Sequence, residues 1–260
     1  MSVPPASSTP PRPRARLYAP ADLSAASVRL EGGPAHYLRN VLRLAEGSLV
    51  ALFNARDGEH AAEILEYGKH SVDFALRGLR RAPAPECDLW LVFAPIKRAH
   101  LDFVAEKATE LGVSALWPVI TRHTNVERVN EDRLLATAIE ATEQSERLSV
   151  PEIRGCVPLA KALADWPAER NIVLCDESGG GEAIAAMLAK EDLTKPWAIL
   201  TGPEGGFAAE ELDMLRKHSN VRPAGLGPRV LRADTASIAA LAVFQSLAPG
   251  AGKKPRFAPT

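Results

Sequence analysis

Apolar and polar residues alternate through SLVALFN, HAAEILEY and SVDFALRGL, with ARDGE and GKH between the runs. A period of two broken by glycine-containing turns at short intervals predicts antiparallel strands. Residues 17–81 are therefore expected to form a small β domain able to close into a barrel. One stretch departs from that rhythm: in PAHYLRNVLRL, Tyr37, Leu38, Val41 and Leu42 recur at helical spacing, with Arg39 and Arg43 on or near one exposed side. The proline-rich APAPECD, residues 82–88, is the natural linker.

Beyond the linker the grammar changes, and 89–248 reads as a second domain. LWLVFA precedes an amphipathic helix from Arg98 to Leu111, whose Leu101, Val104, Ala105, Ala108 and Leu111 share a face, and Gly112 is its expected stop. There follow ALWPVI, a helix from Glu131 to Arg147 with Asn130 as N-cap, NIVLC, a helix from Glu182 to Lys190, WAILTG, a helix from Ala209 to His218, VRPAGLG, and a helix from Asp234 to Leu247. Strand alternating with helix implies an α/β fold with a parallel sheet covered on both faces. The Pro-, Ser- and Arg-rich residues 1–16 and the final 249–260 have little to bury and read as tails. Arg12, Arg14 and Arg16 in the first tail suit a phosphate backbone or simple solvation.

Composition narrows the function classes. With 31 Lys+Arg against 32 Asp+Glu, the formal charge is -1, so any nucleic-acid contact must come from local patches. The chain has no run of apolar residues long enough to span a membrane and no apolar leader, which predicts a cytoplasmic protein. Cys87, Cys156 and Cys175 lie far apart without CxxC spacing, and the histidines show no ligand spacing, so neither disulfides nor a metal are expected.

The chemistry concentrates near the end of the chain, where TGPEGGF follows one apolar strand and LGPRVLRADTA follows the next. Ligands of open α/β sheets sit beyond the carboxyl ends of the strands. Gly202, Gly205 and Gly206 let backbone approach a ligand, Pro203 stiffens the turn, and Gly227 and Pro228 repeat the device. Arg229 and Arg232 beside the start of the last helix make an anion site. Each turn alone is also what any strand end needs; two of them with paired arginines point to a ligand. The first strand-to-helix turn, APIKRAHL, contains no GxGxxG, and GxxxxGK[ST] is absent, which argues against a dinucleotide or P-loop site. DESGGG offers only Asp176 and Glu177 as metal-binding carboxylates and reads as a turn leading into a helix.

At these residues the chain resembles a known family. ILTGPEGGF followed by LGPRVLRADTASIAAL is similar to the C-terminal signature of the RsmE-type 16S ribosomal RNA (uracil-N3)-methyltransferases, members of the SPOUT class. KATELGVSALWPVITRHT resembles that family's helix and following strand, ATEQSERLSVPEI its EQ-x-x-R-x-x-x-P-E-I stretch, and HYLRNVLRLAEGSLVALFN its PUA-like RNA-binding domain, so the likeness extends over about 17–247. It implies a trefoil-knotted methyltransferase domain behind a PUA-like domain, S-adenosylmethionine as cofactor, 16S ribosomal RNA or the small ribosomal subunit as partner, and a homodimer. Carried over by position, the adenosine portion would lie against Leu200, Thr201, Gly202, Pro203, Gly205, Leu226, Gly227, Val230 and Leu231. The chain departs from the pattern at Asp234, where the family commonly has Glu.

Methylation at uracil N3 requires loss of an imide proton, and a fixed guanidinium would stabilise the anion that forms. Arg232 is assigned that role, with Asp234 or Glu204 as candidate proton acceptor. N3 lies on the pairing edge, so the target must be unpaired or flipped. The resemblance covers Arg122, His123 and Arg147 as RNA contacts; Arg229, Arg39 and Arg43 are further candidates. The apolar final helix suits either a second chain or burial on both sides within one chain. Two other readings use the same residues: a SPOUT ribose 2′-O-methyltransferase, and a non-catalytic ribosomal RNA-binding assembly factor.

Overall fold

The computed structural model describes residues 13–126 and 128–252. Arg12 and the last residues of the chain, read as tails, lie outside that range. The chain divides into two compact units, one running through Pro85 and including Thr142–Ser149, the other comprising Glu86–Ala141 and the chain from Val150 on.

The first unit contains β1 (Arg16–Tyr18), β2 (Ser27–Glu31), α1 (Gly33–His36), β3 (Leu49–Asn54), β4 (Gly58–Tyr67) and β5 (Ser71–Arg81). The strands order as β1-β3-β4-β5-β2, antiparallel except for the β1–β3 pair. The three alternating runs are β3, β4 and β5; β1 and β2 are too short to announce themselves by period. Their inward residues, among them Leu17, Leu30, Leu52, Ile64 and Phe74, form one core.

Arg16, expected to belong to a solvated tail, instead opens β1. Its Nε donates to Glu59 at 2.8 Å, its guanidinium lies 3.5 Å from the centre of the Phe53 ring, and it donates to the carbonyls of Thr142 and Arg147. A fully buried carboxylate at Glu59 needs such compensation, and Arg80 also donates to it at 3.3 Å. The helical stretch predicted around Tyr37 is present, but α1 continues as a π-helical turn over Tyr37–Val41. The wider turn changes the angular spacing. Leu38 is buried, whereas Tyr37 and Val41 turn outward, 37% and 58% exposed.

The second unit carries β6 (Leu89–Phe93), α2 (Arg98–Glu110), β7 (Ala115–Ile120), α3 (Glu131–Gln144, its last residues grouping with the first unit), β8 (Glu152–Ile153), β9 (Val157–Pro158), α4 (Leu159–Ala164), β10 (Asn171–Cys175), β11 (Glu182–Ala183), α5 (Ile184–Leu188), β12 (Trp197–Thr201), α6 (Ala209–Lys217), β13 (Val221–Gly225) and α7 (Ala233–Leu247). Its parallel sheet runs β11-β13-β10-β12-β6-β7-β8, with β9 also on β7. Alternate residues of each strand enter different cores, which is why the strands read as unbroken apolar runs. Trp197 and Ile199 of β12 pack with α2, α5 and α7; Ala198 and Leu200 pack with α4 and α6.

Helix boundaries follow local chemistry. Asn130 Oδ1 accepts from Arg133 N at 3.0 Å, the N-cap bond expected for α3, and Gly112 takes φ +82° just past α2. The helix predicted to reach Arg147 ends at Gln144, and Glu146 then adopts φ +60°. The helix predicted from Glu182 starts at Ile184, because Glu182 and Ala183 pair with Ala224 and Gly225 at the sheet edge. β8, β9 and α4 were not anticipated; each is shorter than the window over which periodicity is legible.

Candidate active site at the strand ends

A cavity of about 710 Å³ opens at the carboxyl ends of β10, β12 and β13. The expectation placed the two glycine turns at neighbouring strands, but β10 lies between β12 and β13 in the sheet. The turn after β10 thereby becomes a third wall, with Cys175, Asp176, Glu177 and Ser178 lining the cavity. DESGGG, read as a turn leading into a helix, is a structural part of the site.

That third wall is rigidly held. Asp176 accepts from Ser178 N at 2.9 Å, from Ser178 Oγ, and from Arg216 Nη2 at 2.7 Å. Burial pushes its carboxyl up, but the bonds from Ser178 and Arg216 outweigh burial and hold it below the usual carboxylate range. Burial also pushes the Cys175 thiol up to about 12, so this cysteine is not a thiolate at neutral pH.

In the β12 turn, Thr201, Gly202, Pro203 and Glu204 line the cavity together with Phe207. A Cβ on Gly202 would stand 2.9 Å from the Phe207 ring, so glycine is what lets the aromatic side chain close over the turn. Leu200 and Gly205, expected against a ligand, are not in the lining. Leu200 is 1% exposed in the core beneath, because strand alternation turns it to the opposite face of the sheet. Gly205 faces His123, whose Cβ would be 3.2 Å from a Cβ placed there. His123 Nδ1 lies 3.1 Å from the carbonyl oxygens of both Gly205 and Gly206, tying the turn after β7 to the turn after β12.

The loop from Leu226 to Arg232 forms the other side, and Leu226, Gly227, Arg229, Val230, Leu231 and Arg232 all line the cavity. Gly227 adopts φ +106°, a conformation that disfavours side chains. Among the described residues, the N–H groups of Leu226, Gly227, Arg229, Val230 and Leu231 donate no hydrogen bond to other backbone, which leaves them available to a ligand; Pro228 between them has none to offer. Arg232 is the N-cap residue of α7 and its carbonyl accepts from Ala236 N at 2.8 Å. Asp234 follows in the first turn. Its Oδ2 lies 2.7 Å from His100 Nδ1, and its Oδ1 accepts from Thr235 N at 2.6 Å.

His100, with Lys97, brings the start of α2 into the lining. Glycine spacing in APIKRAHL does not reveal this histidine; the signal for it in the sequence is a titratable residue in the first turn after the first strand.

The residues expected to touch RNA separate by exposure. Arg122 and Arg229 are exposed. Arg39 in the first unit is exposed, bonds Gly68 O at 3.1 Å and stacks over Tyr67; Arg43 is exposed at φ +53°. Arg147 is only 8% exposed, and its Nη2 donates to Ser149 Oγ at 3.1 Å. Among the described residues, no cluster of three or more His, Cys, Asp or Glu able to hold a metal occurs and no helix is long and apolar enough to cross a membrane.

Comparison with known proteins agrees with this arrangement. Residues 83–245 match the family model of an RNA methyltransferase domain, and residues 30–76 match that of an RNA methyltransferase PUA domain. The ribosomal RNA small subunit methyltransferase E of Rickettsia conorii is 36% identical over 217 residues, covering 82% of this chain and 86% of the relative. The same enzyme of Neisseria gonorrhoeae, solved bound to S-adenosyl methionine, superimposes with a TM-score of 0.79 at 25% identity, over 90% of this chain and 98% of the other. A Legionella pneumophila protein described as a methyltransferase and solved with its cofactor SAM gives 0.80 at 28% identity, over 91% and 98%. A chain with both domains, both glycine turns and this extent of likeness belongs to the ribosomal RNA small subunit methyltransferase E family of RNA methyltransferases.

Proposed function

We propose that this protein methylates N3 of a uridine in 16S ribosomal RNA with S-adenosylmethionine as the methyl donor. The observation that carries the reading is the cavity itself. Two glycine turns and a loop of unpaired amides enclose about 710 Å³ at the carboxyl ends of parallel strands, with Arg232 and Glu204 in the same lining. That volume falls within the range of about 300–1,000 Å³ common for small-molecule sites. Leu226, Val230, Leu231 and Pro203 supply apolar surface for the faces of a purine, and the amides of the loop supply donors for its edge. The cofactor-bound relatives share this fold. Bound there, S-adenosylmethionine supplies a methyl carbon activated by a sulfonium.

The chain's own residues then determine what happens to the acceptor. Arg232 lines the cavity and is exposed, free to meet the uracil carbonyl oxygens and stabilise an imide anion. Arg229 and Arg122 supply exposed positive charge for phosphates, and Arg39 and Arg43 do so in the PUA unit. The same reading carries the trefoil threading of the methyltransferase domain and pairing of two chains. α7 buries Ser237, Ala240, Leu241 and Phe244 on one side only, and Leu247 remains 43% exposed, which supports a second chain rather than burial on both sides within one.

Calorimetric titration with S-adenosylmethionine, combined with mass analysis of ribosomal RNA from a strain lacking the gene, tests the reading. Binding together with loss of one N3-methyluridine from 16S ribosomal RNA is expected. Loss of a 2′-O-methyl mark instead would reassign the reaction, and absence of cofactor binding would leave an assembly factor.

A further inference from the structure

We propose that His100 is the catalytic proton acceptor of this reaction and that Asp234 is the carboxylate that orients it. The inference rests on the methyl-transfer reading above and replaces Asp234 and Glu204 as candidate acceptors.

Asp234 is poorly placed to take a proton. Its Oδ2 is engaged by His100 Nδ1 at 2.7 Å, while Oδ1 accepts from Thr235 N at 2.6 Å and from Thr235 Oγ1 at 3.3 Å. Its side chain is 13% exposed, and it sits in the first turn of α7, where the helix dipole favours its charge. Burial pushes the carboxyl up, yet the bonds from His100 and Thr235 prevail and keep it below the ordinary carboxylate range. Glu204 lines the cavity but is exposed, and among the described residues no hydrogen bond fixes the position of its carboxylate.

His100 has what both lack. The imidazole lines the cavity, and its Nδ1 is committed to Asp234, which selects the tautomer with the proton on Nδ1. Nε2 is left with its lone pair and, among the described residues, makes no hydrogen bond. Imidazole is the side chain that exchanges a proton near neutral pH, and a carboxylate behind it stabilises the imidazolium once formed. The other charged groups lining the cavity are Lys97, Arg229, Arg232, Asp176, Glu177 and Glu204.

The step balances. The N3 proton of uracil passes to His100 Nε2, and the electron pair left on N3 forms the bond to the methyl carbon. The carbon–sulfur bond of the donor breaks as it does so, and sulfur keeps that pair. Uracil has exchanged a proton for a methyl group, the donor has become a neutral thioether, and the imidazolium beside Asp234 returns its proton to water.

The test compares wild type, His100→Gln and Asp234→Asn, using small ribosomal subunits from a strain lacking the gene, with calorimetry of S-adenosylmethionine on each variant. Gln retains a donor for Asp234 but cannot accept a proton. His100→Gln is expected to lose about 10²–10⁴ in turnover with cofactor affinity within a few-fold, and to lack the rise of turnover with pH expected of wild type. In ¹⁵N spectra of the protein alone, His100 is expected as the Nδ1–H tautomer in wild type and as a mixture in Asp234→Asn. A His100→Gln enzyme with wild-type turnover and pH profile, or a His100 found as the Nε2–H tautomer, overturns the assignment. Should His100→Gln not fold, the tautomer of the wild type still decides. A wild type that binds cofactor but leaves uridine N3 unmethylated would overturn the functional reading instead.

Discussion

The hydroxyls of Thr201, the last residue of β12, and Ser237, one turn into α7, lie 2.9 Å apart in the core of the methyltransferase domain. Ser237 Oγ donates to the carbonyl of Ala233 at 2.9 Å, so Thr201 is the donor to Ser237. This bond joins the strand that precedes one glycine turn to the helix that follows the other, and so fixes the distance across the cavity.

Replacing Ser237 by Ala strands the Thr201 hydroxyl in the core and is expected to cost about 1–3 kcal/mol. Thr201→Val should cost less, because Ser237 keeps its bond to Ala233. Urea unfolding of both single variants and the double variant measures the coupling; a coupling of zero would mean the bond carries no stability.

Arg232→Ala is expected to lower turnover by about 10²–10³ while cofactor affinity stays within a few-fold, since an anion-stabilising donor acts in the transition state. Single-turnover assays beside calorimetry separate the two. A collapse of cofactor binding would make Arg232 a binding residue.

The Asp176 carboxylate gives the domain a defined acid response. Its folded-state pKa is depressed below the ordinary 3.8 by the bonds from Ser178 and Arg216, which outweigh burial. The stabilisation is therefore fully present above that value and is lost as pH falls below it through the folded pKa. Asp176→Asn should cost about 2 kcal/mol at neutral pH, and the gap from wild type should close at pH below 3.8. Denaturant midpoints across the acid range provide the check; a gap independent of pH would show that charge is not what Asp176 contributes.

Arg147 and Arg122 should part company. Arg147 is 8% exposed, so Arg147→Ala is expected to lower the melting temperature. Arg122 is exposed, and Arg122→Ala should leave stability alone while weakening binding to 16S ribosomal RNA and reducing the salt dependence of that binding by about 0.7 in slope for one lost phosphate contact. Filter binding over a salt series reads this directly.

Much of the fold is legible in the sequence. The change from period two to alternating apolar runs and amphipathic helices separated the β unit from the α/β unit, and the runs β6, β7, β10, β12 and β13 stand where their patterns put them. Asn130 and Gly112 marked helix ends because capping is a local event, decided within one turn of chain. The two glycine turns were recognisable for the same reason. What the sequence could not determine was lateral order. Neither period nor composition states that β10 lies between β12 and β13, since strand neighbours are chosen by packing between residues far apart in the chain. That insertion made Asp176 and Glu177 part of the cavity wall. Only the tertiary structure brought His100 to Asp234, 134 residues away, and only burial distinguished Arg147 from Arg122. Local elements follow from local propensity; the chemistry of the site follows from contacts that exist only once the sheet is assembled.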